Sequence, residues 1–270
     1  MTIAKAVSTW SLHRTLGNYV HPESAANGGP FMTLPEIDGG ETLLELIPDL
    51  ASHGYSIIQI CHFHLESRDA EYLAAVKQAL AENNITLDML LIDDGDLTAD
   101  DYAAQMDWID GWLDVAVTLG AHRARVNAGH GTPTPELLQA VGERLATLAA
   151  QHPDVRVVTE NFLSMTPDAE SVLTILDAAG NSVGLLVDLG NWHAPEKYDE
   201  LAKIVGRAEA CHAKCSFSAD GPDEADFHRA LGILKDAAFS GPIALIYDGP
   251  DNDEFARLDD EWVMVQQRLA

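Results

Sequence analysis

Val157-Val158-Thr159-Glu160-Asn161 and, one helix-like segment later, Leu185-Leu186-Val187-Asp188-Leu189-Gly190-Asn191 decide the fold. Each is a short apolar run that ends on a carboxylate. Two further runs repeat the layout: Ala210-Cys211-His212-Ala213-Lys214 and Ala244-Leu245-Ile246-Tyr247-Asp248-Gly249. Short apolar runs bounded by polar residues suit strands that are covered on both faces. Helix-like segments precede each run, so the strands run parallel. In a closed parallel barrel the carboxyl ends of all strands meet on one face, where such enzymes do their chemistry. Glu160, Asp188, His212 and Asp248 then converge there as a candidate divalent-metal site.

Outward from these four runs the alternation continues. Strands are expected near 3–9, 56–61, 85–91, 122–127, 155–160, 183–188, 208–213 and 243–247. Amphipathic stretches lie between them, near 41–47, 70–82, 100–120, 134–150, 168–179, 197–207 and 227–237. Thr98-x-x-Asp101, Pro135 and Thr166-Pro167-Asp168 are helix starts, and Gly54, Gly120, Gly180 and Gly241 are stops. Eight strands alternating with helices predict an α/β chain folded as a (β/α)8 TIM barrel, one domain over 1–270. An open doubly wound sheet is the competing architecture. It is weakened because strand one is followed by no Gly-rich phosphate fingerprint, and the chain has no Walker pattern. Residues 17–40 form a long irregular connection carrying His21, Phe31 and Met32, read as a lid over the pocket.

Composition narrows the function. Sixteen Lys and Arg stand against 43 Asp and Glu, a formal net charge of −27. Such a field repels nucleic-acid phosphates and anionic membranes, so neither is an expected partner. No apolar run approaches the ~20 residues of a membrane span. Residues 1–7 read as a first strand and not as a signal peptide, which makes the cytoplasm the expected compartment. Cys61, Cys211 and Cys215 are too few for a disulfide framework and read as buried thiols. Homo-oligomerisation stays open.

The ordered set Glu-Asn, Asp-x-Gly, His-x-Lys and a final carboxylate resembles the xylose-isomerase-like barrel superfamily. That superfamily includes sugar isomerases and epimerases, inosose and dehydroshikimate dehydratases, and endonuclease IV. The resemblance implies that Glu160, Asp188 and His212 ligate the metal, with Glu160 also serving as a base. It makes Asp248 the fourth ligand or second base, and Lys214 a group that polarises a substrate oxygen. The sequence departs from the family in three places: Asp248 replaces the usual strand-eight Glu, Asn191 a common His, and Ser218 the Arg of ketose epimerases. Trp10, His13, His62, His64, Asn191 and His193 follow predicted strands and are expected to line a polar substrate pocket.

Carboxylates with one imidazole suit Mn²⁺ or Mg²⁺, and also accept Zn²⁺ or Co²⁺. The implied activity is isomerisation or epimerisation of a sugar, polyol or related carbohydrate by proton abstraction beside a metal-bound carbonyl. Three alternatives remain: a dehydratase of an inosose or shikimate-type ring, an endonuclease IV-like phosphodiester hydrolase, and a non-catalytic barrel. Asp226-Phe227-His228 is similar to the Asp-x-His of the endonuclease branch, but reads more readily as a helix start with an Asp cap and an exposed His.

Overall fold

A computed structural model describes residues 3–17, 40–218 and 220–269. Eight parallel strands close into a barrel: β1 (Ala6–Ser8), β2 (Ile57–Cys61), β3 (Thr86–Ile92), β4 (Arg123–Val126), β5 (Arg156–Glu160), β6 (Gly184–Asp188), β7 (Ala208–Lys214) and β10 (Ile243–Ile246). Each strand pairs with its neighbours in chain order, and β1 closes the ring on β10 through Ala6–Ala244 and Val7–Leu245. The pairs Phe217–Ser218 (β8) and Gly221–Pro222 (β9) make a small antiparallel ribbon beyond β7. The fold is therefore the expected TIM barrel. Most strands are shorter than expected, and β1 covers three residues of the expected seven; β3 and β7, with seven each, are not.

Helices alternate with the strands: α1 (Leu43–Ser52), α2 (Ala70–Glu82), α3 (Tyr102–Leu119), α4 (Pro135–Gln151), α5 (Ala169–Ala179), α6 (Lys197–Ile204), α7 (Glu224–Asp236) and α8 (Glu254–Leu269). Their ends carry local signals. Thr42 and Glu45 form a reciprocal capping box on α1, Thr134 caps α4 ahead of Pro135, and the Asp168 side chain accepts from Ser171 N on α5. Gly120 ends α3 at φ 77°, a left-handed conformation that suits glycine. Two helices depart from expectation. α7 starts at Glu224 with Asp223 as its cap, three residues before the predicted start. α8 has no predicted counterpart, because its core-facing stripe of Leu258, Met264 and Val265 is interrupted by two buried glutamates, Glu254 and Glu261.

The barrel has two apolar layers. The larger lies between the strands and the helix ring, with Leu46, Val76, Trp112, Leu145, Ile175 and Leu231 on the helix side. The smaller fills the barrel and holds Cys61, Met89, Leu91, Val158, Leu186 and Ala210. Val158, Leu186 and Ala210 stand two residues before Glu160, Asp188 and His212. Side chains alternate along a strand, so the three functional residues face inward directly above this plug. Cys61, Cys211 and Cys215 are buried free thiols, as expected. No helix among the described residues is long and apolar enough to cross a membrane. Residues 18–39, which include the expected lid with His21, Phe31 and Met32, lie outside the described residues.

Candidate metal centre and its pocket

Asp188 and His212 are register partners on adjacent strands, and Glu160 ends the strand on the far side of β6. This brings one ligand-type atom from each within 4.8 Å of the others, all three residues being buried. His212 Nδ1 lies 3.3 Å from Glu160 Oε1 and 3.6 Å from Asp188 Oδ2. The other oxygen of Asp188, Oδ1, accepts from the backbone N–H groups of Gly190 and Asn191 at 2.6 and 2.8 Å. Asn161 brackets the Asp188 backbone, donating to its carbonyl and accepting from its N–H. Asn191 donates to Glu160 Oε1 at 3.1 Å. Each carboxylate is thus held by one set of contacts while an oxygen still faces the imidazole.

Two carboxylates and a histidine nitrogen turned on one another are a donor set that fits a small divalent ion. Burial disfavours a charged imidazole, but the Glu160 and Asp188 carboxylates outweigh it and raise His212 to about 9. Asp188 is correspondingly lowered: burial opposes this, and His212 and Lys214 drive it. The histidine proton therefore stands in for a cation. Chelator-treated protein should be most stable below pH 6.5 and lose on the order of a few kcal/mol as pH rises through about 9, because the folded-state value lies above the unfolded one. Thermal melts across pH 6–10 check this, and a rise in Tm over that interval contradicts it.

The cluster opens onto a cavity of about 110 Å³, walled on its apolar side by Trp10, Leu91, Phe162 and Ile246. Asn191, Lys214 and Asp248 add polar atoms. Of the expected pocket residues, Trp10 and Asn191 line it. The others sit elsewhere. His13 is buried, with Nδ1 2.6 Å from the Trp10 carbonyl. His62 and His64 follow β2 in a short 3₁₀ turn that carries both inward. His62 accepts from Asp93 N at Nδ1, faces Asp94 through Nε2 and packs on Trp108 and Trp112. His64 is buried against Thr9, and burial lowers it to about 3. His193 is exposed beyond β6. None of these four histidines is among the described residues that line the cavity.

Asp248 also sits apart from the three-residue cluster. The register of β10 places Ala244 beside His212 and Ile246 beside Lys214. Asp248 therefore falls past the strand end, where its Oδ2 lies 2.6 Å from Lys214 Nζ. Burial works against the charged form of Lys214, but Asp188 and Asp248 outweigh it and raise its pKa.

Sequence reasoning missed a buried arginine at the centre of the site. Arg125 Nη2 lies 2.5 Å from Asp93 Oδ1, Nη1 2.6 Å from Asn127 Oδ1, and Nε 3.2 Å from Glu160 Oε2. Its signal was present: Arg123-Ala124-Arg125-Val126 places a cation inside a strand otherwise read as core. The Asp226–His228 segment serves structure, with Asp226 bonded to Lys197 Nζ and Tyr198 Oη and the His228 carbonyl accepting from Arg268.

The family model described as xylose isomerase-like TIM barrel matches residues 47–262. No curated protein matches the sequence. Among solved structures, the chain is similar to the probable 3-DHS dehydratase AsbF of Bacillus anthracis, with 13% identity, TM-score 0.67, and coverage of 98% of this chain and 100% of that one. It is similar to the 3-keto-D-glucoside 4-epimerase YcjR of E. coli, with 14% identity, TM-score 0.67, and coverage of 86% and 97%. It is also similar to a sugar phosphate isomerase/epimerase of Parabacteroides distasonis, with 10% identity, TM-score 0.67, and coverage of 100% and 96%. At these identities the likeness establishes the fold.

Proposed function

Because the chain belongs to the xylose isomerase-like TIM barrel family, we propose that it is a divalent-metal-dependent isomerase or epimerase of a sugar, polyol or related carbohydrate. The observation that carries this reading is the approach of Glu160, Asp188 and His212 within 4.8 Å at the carboxyl end of the barrel. An ion held by these donors, Mn²⁺, Mg²⁺, Zn²⁺ or Co²⁺, would polarise a carbonyl oxygen and acidify the adjacent C–H. Glu160 is the base for that proton: it borders the cavity, and Asn191 and Arg125 fix both of its oxygens. Lys214 Nζ, oriented by Asp248, is placed to stabilise the developing oxygen charge. Trp10 and Phe162 offer apolar faces to a sugar or carbocycle.

One observation favours a lyase as the second reading. Asp248 is engaged by Lys214 and stands off the cluster, so the site offers one carboxylate base, Glu160, and one ammonium acid, Lys214. That pair suits loss of water beside a carbonyl, or a proton shuttle in isomerisation, better than exchange between two carboxylates on opposite faces. A dehydratase among the similar folds is in keeping with it. Hydrolysis of damaged DNA is disfavoured by the charge of −27 and by Asn191 in place of a metal-binding His.

The test is turnover of a panel of keto sugars and cyclic keto acids in D₂O with Mn²⁺ supplied. The expected product carries solvent deuterium on the carbon beside the carbonyl. An isomerised product formed without solvent isotope would replace proton abstraction by hydride shift, and a dehydrated product would favour the lyase; either leaves the metal site standing.

A further inference from the structure

A chain of buried polar contacts crosses the barrel floor and ends on His212. Gln59 on β2 is fully buried, and its Nε2 donates to Asp88 Oδ2 at 2.9 Å. The second oxygen of Asp88 receives Arg123 Nη1. On the opposite side, Gln59 Oε1 lies 2.7 Å from His212 Nε2. Asp88 faces Gln59 because the β2–β3 register skips it: Ile58 pairs with Leu87 and Gln59 with Met89. The bulge re-aims the carboxylate at the amide.

These contacts leave little freedom of orientation. A carboxylate held by a guanidinium can only accept, so the amide nitrogen of Gln59 must face Asp88. The amide oxygen must then face His212, since the reversed amide would set a carbonyl against a carboxylate. An amide oxygen also only accepts, so His212 must carry its hydrogen on Nε2. The nitrogen left to donate a lone pair is Nδ1, the atom that faces Glu160 and Asp188.

We propose that Gln59, oriented by Asp88, is the positioning residue that fixes His212 in the Nε2–H form and so commits Nδ1 to the metal. The inference rests on the metal reading above, and adds to it which buried groups set the donor atom. Outer partners of this kind commonly change metal affinity by ~10–100-fold when removed.

The experiment has one arm that needs no metal. In chelator-treated protein above about pH 9, where the ring has given up its second proton, long-range ¹H–¹⁵N spectra of the His212 ring should show a slowly exchanging Nε2–H and a bare Nδ1. The signal should be lost in Gln59→Leu. Its absence from the wild-type protein would overturn the relay, whatever the protein does with metal. The second arm measures Mn²⁺ affinity by calorimetry. Gln59→Leu should weaken binding ~10–100-fold with far-UV circular dichroism unchanged. The double variant Q59E/D88N restores the polarity of the chain. The new amide at position 88 would accept from Arg123 and donate to the new carboxylate at position 59, which would in turn accept from His212. This variant should recover both the protected Nε2–H and most of the affinity. Because it reports rescue, a Gln59→Leu protein that fails to fold leaves the test intact. Wild-type affinity in Gln59→Leu, or no recovery of signal and affinity in Q59E/D88N, would overturn the proposal. Failure of the wild-type protein to bind Mn²⁺ while retaining the protected Nε2–H would sink the metal reading alone.

Discussion

Glu160→Gln is expected to lower turnover by ~10²–10⁴ at saturating metal and substrate, the usual scale for loss of a general base. Glutamine has the same length and keeps one oxygen for the cluster, while its N–H₂ faces a donor of Arg125 or Asn191. It cannot take a proton. The loss should therefore fall on kcat more than on KM. Asp248→Asn should be far milder, because Asp248 faces Lys214 and stands outside the three-residue cluster. If Glu160→Gln retained activity within tenfold while Asp248→Asn lost it, the base would be Asp248 and the Lys214 pair would be the reacting element.

Arg125→Met should destabilise the protein by about 3–5 kcal/mol, the range for removing one partner of a buried ion pair. Arg125 is 3% exposed and sits between Asp93 and Glu160, which are themselves 4% and 3% exposed. Methionine fills much of the volume but leaves two buried carboxylates without their shared cation. Arg125→Lys restores the charge without the planar fork that reaches Asp93, Asn127 and Glu160 together, so it should recover only part of the loss. Urea unfolding of the three proteins decides it. A cost below about 1 kcal/mol for Arg125→Met would mean that the guanidinium does not hold the two carboxylates in place.

The barrel and the three clustered residues were legible because a single rule governs both. Strands covered on two faces read as apolar runs, and the residue that ends each run on the inward phase faces the mouth. Glu160, Asp188 and His212 each obey it. Asp248 also ends a run, but its distance from the others depends on the stagger of β10 against β7, which no run of residues records. The placing of the histidines after β2 was not legible for a related reason: a short 3₁₀ turn carries His62 and His64 inward, which their position after a strand does not record. Gln59, Asp88 and Arg125 carried the opposite signal. Each is a polar residue in the middle of an apolar strand, as in Ile57-Ile58-Gln59-Ile60-Cys61, and a buried polar group requires a partner. Asking for those partners identifies the floor of the site. The same reasoning recovers α8, whose Glu254 accepts from Arg14 N, Thr15 N and Thr15 Oγ1 at 3.0, 3.0 and 2.8 Å.

Anomalous scattering from crystals grown with Mn²⁺ tests the central claim most directly. One strong peak is predicted among Glu160, Asp188 and the Nδ1 atom of His212, lost in His212→Ala. Anomalous density confined to the acidic surface, with none inside that triangle, would contradict the metal centre and the chemistry built on it.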